Sequence, residues 1–141
     1  MLSKILVPVD GSDNSLRALE HALFIAKSTG AQITAMHVIE HPPTVYVESQ
    51  KLLNDLMSNY RKESTKILDK CKEVAKKSGV NLETVIAEGD AASNITGYAE
   101  QGGFDLVVIG SRGLGRLKEM VLGSTSNKVL HNTKCSVMVV K

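Results

Sequence analysis

Between residues 110 and 125 the chain reads GSRGLGRLKEMVLGST, which sets glycines at 110, 113, 115 and 123 among two arginines and a lysine and closes on Ser-Thr. Glycine lets a backbone take positive φ and approach a ligand with no Cβ in the way, so Gly110, Gly113 and Gly115 can present successive N–H groups as an anion nest. Gly123, Ser124 and Thr125 then open a helical pattern, whose first N–H groups have no intrahelical partner and whose dipole favours negative charge. Two hydroxyls add donors. These residue types suit phosphate. The alternative is a glycine-rich turn followed by a Ser cap on the next helix. What favours phosphate is that both anion-binding devices share one loop. The stretch is neither a Walker A loop, since no G-x-x-x-x-G-K-[ST] occurs, nor the dinucleotide fingerprint, since Lys118 stands where the third glycine belongs.

Two other stretches invite chemistry. VDGSDNS, residues 9 to 15, lacks the second carboxylate that aspartyl-phosphate phosphatases carry two positions on, because residue 12 is Ser. It also puts Asp10 where a pyrophosphatase loop wants small neutral residues against phosphate. A turn in which Asp10 or Ser12 caps the first helix explains much of it. That cap leaves Asp10 able to accept hydrogen bonds from a ribose or a base. HVIEH, residues 37 to 41, matches the H-x-x-E-H zinc pattern in letters. That chemistry needs a helix, whereas His37 ends a strand pattern and Pro42-Pro43 follow, so the two histidines would stand about 13 Å apart. His37 reads instead as a polar residue near the rim of a sheet.

The elements that must position these residues are legible from periodicity. Five short runs rich in Val, Ile and Leu predict strands at 4–9, 32–38, 81–88, 105–110 and 136–141. Leu16, Leu19, Leu23 and Ala26 recur at helical spacing after Ser12, and Gly30 closes that helix. Leu53, Leu56, Tyr60, Ile67, Cys71 and Val74 mark a long second helix ending near Gly79, whose Glu73 and Lys77 belong to its solvated face. A third helix fits 91–101 and a fourth 124–132. The stretch 39–48, with its two prolines, is the one irregular connection of note. Strand and helix alternate throughout, which predicts one α/β domain over residues 1–141, with an open five-stranded parallel sheet covered by helices on both faces. Ligands of such sheets bind beyond the carboxyl ends of the strands, where strand order reverses.

Composition excludes several classes. With 43% hydrophobic and 23% charged residues the chain is that of a folded protein, and a net charge of +2 is too small to coat a nucleic acid. Aromatic residues at 4%, with no Trp, leave little to stack on single strands. No segment approaches the ~20 apolar residues that span a bilayer, and the opening MLSKILVPVD is too short in its apolar run for a signal peptide. Cys71 and Cys135 form no C-x-x-C pair, which fits a reduced cytoplasm.

The spacing Gly110-x-x-Gly113, nine residues, then Gly123-Ser124 resembles the G-x2-G-x9-G-[ST] signature of the ATP-binding branch of the universal stress protein family. KILVPVDGSDNSLRAL resembles that family's opening strand and helix, VVIGSRGLG its fourth strand and loop, and CSVMVV its last strand, although Ser136 stands where a Pro is usual. The resemblance implies a homodimeric protein with strand order 3-2-1-4-5, a Rossmann-like fold of the adenine nucleotide alpha hydrolase type. It further implies that Pro8, Val9 and Asp10 border the adenosine and that the Val38 backbone recognises adenine. Gly110, Ser111, Arg112, Gly113, Leu114, Gly115 and Arg116 would wrap the triphosphate of ATP, while Gly123, Ser124, Thr125 and Ser126 hold its oxygens. Mg or Mn would bridge phosphate oxygens, since hard cations take oxygen ligands.

Three function classes follow: an ATP-binding regulator, a slow ATP-hydrolysing or phosphotransfer enzyme, and a structural dimer that has lost its ligand. The intact glycine-serine signature counts against the third. Against the second, no residue in the loop has the character of a general base aimed at a γ-phosphate; Glu119 is the nearest carboxylate, and the spacing does not place it there. The last strand, SVMVVK, is short and apolar and lies at an edge in the implied order. It therefore predicts a homodimer through residues 136 to 140, one that Met138→Pro should weaken.

Overall fold

The computed structural model describes residues 1–40, 50–112 and 122–141. Five strands, β1 (Lys4–Pro8), β2 (Gln32–Ile39), β3 (Leu82–Glu88), β4 (Leu106–Gly110) and β5 (Ser136–Val140), form one parallel sheet in the order β3-β2-β1-β4-β5. Between them run α1 (Asp13–Thr29), α2 (Gln50–Lys77), α3 (Ala91–Gln101) and α4 (Ser124–Asn132). Each strand falls within a residue or two of the run that predicted it, because continuous aliphatic runs are what a sheet buried on both faces requires.

Alternation along the strands builds two cores. Ile5 and Val7 of β1 pack with Leu19 and Leu23 of α1 and with Leu68 and Cys71 of α2. Leu6, between them, faces the other way and packs with Ile95 of α3 and Val129 of α4. The chain steps from β1 out to β3 and then returns to the far side of β1 for β4 and β5. Right-handed crossovers in opposite directions put α1 and α2 on one face and α3 and α4 on the other. Burial leaves Cys71 fully enclosed and pushes its thiol up to about 11, so it serves as a small apolar residue.

The ends of the elements follow local chemistry. Ser12 caps α1 by accepting the Ser15 N–H at 3.1 Å, and Gly30, at φ 75°, ends it by donating to the Ala26 carbonyl. Asp90 caps α3 by accepting the Ser93 N–H and hydroxyl at 2.9 and 2.7 Å, which holds its carboxyl below the usual range. Asp105 ties the start of β1 to β4 by accepting the N–H groups of Ser3 and Lys4.

The pairing of β1 with β4 is short, covering Ile5↔Leu106 and Leu6↔Val107. The Val9 N–H donates to the Met36 carbonyl, so Val7 and Val9 face β2 while Leu6 and Pro8 face β4. Pro8 has no N–H to donate there, and the two strands are free to part beyond Leu6. A crevice at the point where strand order reverses is therefore written into the position of one proline.

Candidate functional site

A cavity of about 480 Å³ opens at that crevice, within the usual ~300–1,000 Å³ of a small-molecule site. Its floor is Pro8 at the end of β1 with Val9 and Asp10 beyond it, Met36 to Ile39 of β2 with Glu40 beyond it, and Ile109 and Gly110 of β4. The first turn of α4, from Gly123 to Ser126, forms one wall together with Arg112. Tyr60, Glu63 and Ser64 of α2 and Ala91 and Ile95 of α3 close the sides.

Most predicted site residues within the described part meet here: Pro8, Val9, Asp10, Val38, Gly110, Arg112, Gly123, Ser124, Thr125 and Ser126 all line the cavity. Ser111 does not. It is buried behind the wall, where its N–H donates to the Val140 carbonyl at 2.7 Å and its own carbonyl accepts the Gly123 N–H at 2.6 Å. Ser111 thereby joins the end of β4 to β5 and to the start of α4. Gly113, Leu114, Gly115 and Arg116 lie outside the described residues, as does His41 of the zinc-like pattern.

The geometry bears on three of these readings. Gly110 was expected to use positive φ, but the glycines with positive φ among the described residues are 11, 30, 79, 89 and 103. Gly110 is required for another reason: a Cβ there would meet the Asn14 Oδ1 at 2.5 Å and the Asn14 backbone at 3.1 Å. Asn14, buried in α1, uses the same Oδ1 to accept the Arg112 N–H at 2.9 Å and so clamps the start of the loop. The Ser cap on α4 that the alternative reading offered is absent. Gly123 occupies the cap position with no side-chain hydrogen bond, which leaves the first turn's N–H groups to another acceptor. Ser126, finally, gives its hydroxyl proton to the Gly110 carbonyl at 2.6 Å, so any anion it holds must use its backbone N–H.

At the other end of the cavity, Asp10 accepts the Ser12 N–H at 2.9 Å through Oδ1 and is fixed in the turn that Ser12 caps. The Gly89 N–H donates to the Ile39 carbonyl, so His37 and Ile39 face β3 and Val38 turns its N–H and C=O toward β1, past the point where β1 ends. The α2 wall was not foreseen. Its signal was Ser64, four residues after Tyr60 in the apolar stripe, fully buried with its hydroxyl on the Tyr60 carbonyl at 2.9 Å. Among the described residues, no three His, Cys, Asp or Glu side chains are grouped to hold a metal ion, and no helix is long and apolar enough to cross a membrane.

The arrangement sets the uncapped amides of α4 at one end of the cavity and a peptide donor and acceptor at the other, with an aliphatic floor between. The sequence profile of the universal stress protein family matches residues 1–141. The chain is 38% identical to universal stress protein YxiE of Bacillus subtilis, over the full length of both. Among solved structures it resembles universal stress protein UspA from Lactobacillus plantarum, with a TM-score of 0.90, 28% identity, and 99% and 97% of the two chains covered. It also resembles a universal stress protein solved in complex with cAMP, at a TM-score of 0.73 and 25% identity over 99% and 96% of the two chains.

Proposed function

Because the chain belongs to the universal stress protein family, we propose that it is a nucleotide-dependent regulatory module of the cytoplasm that binds ATP in the cavity at the crevice. The observation that carries this reading is the uncapped first turn of α4 at one end of the cavity and the outward-facing Val38 peptide at the other. Phosphates belong against the Gly123 to Ser126 amides and the glycine loop, adenine against Val38, and the ribose near Asp10. A relative of the same fold was solved with cAMP, which supports an adenine ligand. With no carboxylate or imidazole cluster among the described residues, Mg or Mn would take its oxygens from the phosphates themselves.

Turnover is slow or absent on this reading, because grip on ground-state phosphate alone lowers no barrier. The carboxylates that do line the cavity, Asp10, Glu40 and Glu63, include Asp10 already committed to the Ser12 N–H. The protein acts as a homodimer through β5, an edge strand paired on one side only. Mass spectrometry of small molecules released from freshly purified protein should find an adenine nucleotide, and calorimetry should show Gly113→Val to lose most ATP affinity. Equal affinity of variant and parent would remove the loop from the site, and phosphate release at about 1 to 1,000 per second would make the protein an enzyme.

A further inference from the structure

The ladder between β1 and β2 ends irregularly. Met36 faces β1, and its carbonyl takes the Val9 N–H at 2.8 Å. Regular parallel pairing would next bring the Val38 N–H onto the Val9 carbonyl, because every second residue of β2 faces β1. That carbonyl instead bonds the ring of His37, with Nδ1 at 2.8 Å. A carbonyl can only accept, so Nδ1 carries the proton. His37 alternates with Met36, whose side chain packs toward α3, so the imidazole reaches the Val9 carbonyl from the face covered by α1 and α2. The side chain replaces the next backbone rung.

We infer that His37 is a positioning residue for base recognition: by holding the Val9 carbonyl on its ring it directs that carbonyl away from the Val38 N–H, keeps the Val38 N–H and C=O as an open donor–acceptor pair, and so sets a preference for adenine over guanine. The inference rests on the adenine-nucleotide reading of the cavity, which both His37 and Val38 line. Adenine presents an amino donor beside a ring-nitrogen acceptor, which one peptide's C=O and N–H complement together. Guanine puts an oxygen acceptor where adenine has the amino group, and the Val38 carbonyl would face it with no proton between them. Sites built around such a pair discriminate strongly, because the wrong base leaves polar groups unpaired in a partly desolvated cavity. Without the imidazole to hold it, the Val9 carbonyl would be free to turn onto the Val38 N–H, and the ladder would close over half of the recognition pair.

Amide hydrogen exchange in the free protein reads the first half of this without a ligand. The Val38 N–H should exchange faster than the Ile39 N–H on the same strand, and His37→Leu should slow it. Calorimetry with ATP and GTP reads the second half. His37→Leu should lower ATP affinity about tenfold, the worth of one hydrogen bond, while leaving GTP affinity unchanged. His37→Asn, whose amide N–H branches from the same carbon position as Nδ1, should restore the parent's ATP-to-GTP ratio. A Val38 amide as protected as that of Ile39 in the parent overturns the inference, and that measurement decides even if His37→Leu does not fold. Parallel losses for ATP and GTP, or no rescue by His37→Asn, overturn it while leaving the ATP site standing. A parent that binds neither nucleotide removes the proposed function and the inference with it.

Discussion

Gly110 illustrates how one residue can answer to two demands at once. It lines the cavity, yet what requires glycine there is Asn14, whose Oδ1 lies 2.5 Å from where a Cβ would stand. Asn14 cannot retreat cheaply. It is buried, and its Oδ1 holds the Arg112 N–H while its backbone belongs to the first turn of α1. Gly110→Ala should therefore cost about 1 to 3 kcal/mol, the range for overpacking a filled interior, measured by urea denaturation. It should also lower ATP affinity by shifting the start of the loop. A variant as stable as the parent would mean that α1 slides away from β4 without loss, and would take the clamp out of the account of the site.

At the scale of the element, α4 is left incomplete on purpose by its own first turn. α1 and α3 carry side-chain caps, from Ser12 and Asp90, whereas Gly123 at the start of α4 supplies none. A carboxylate at Ser124, which is exposed, would meet the positive end of the helix dipole. Ser124→Asp should thus raise the stability of the free protein by about 0.3 to 1 kcal/mol. The same charge would repel a phosphate, and ATP affinity should fall about tenfold or more. Thermal melts of the free protein beside calorimetry with ATP check both signs. A variant that gains stability and keeps its affinity would show that the α4 terminus is a structural end and not the phosphate site.

For the whole molecule the open question is the second edge of the sheet. β5 pairs with β4 along one side, and its Met138 remains 37% exposed. The ladder also shows which N–H groups an assembling partner could use. The Ser111 N–H donates to the Val140 carbonyl, so Val140, Met138 and Ser136 face β4, and Val137 and Val139 face outward. Met138→Pro, chosen from sequence alone, would break the protein's own sheet and is the wrong test. Val139→Pro removes an outward N–H and leaves the β4 bonds in place. Light scattering at micromolar concentration should give a dimer for the parent and a weakened dimer for Val139→Pro. A monomeric parent ends the proposal of a homodimer, and an unaffected dimer moves the interface away from β5.

The sequence by itself determined the elements and their order in the chain, and it set glycines and hydroxyls of a kind that suits an anion after β4. These depend on neighbours in sequence: aliphatic runs for strands, helical spacing for Leu16, Leu19 and Leu23, Ser12 and Gly30 as helix ends, and glycines with hydroxyls at a helix start. Resemblance supplied strand order, which periodicity cannot, since pairing joins residues about a hundred positions apart, as Leu6 with Val107. Only the tertiary structure decided that Gly110 answers to Asn14, that Ser111 faces away from the cavity, and that Tyr60, Glu63 and Ser64 of α2 help to line it. It also decided which peptide groups face which neighbour. A shift of one residue in register reverses the direction of every N–H along a strand, and nothing local in the chain records that register. The roles of Pro8, Val38 and His37 all turn on it, which is why their letters were visible from the start and their chemistry was not.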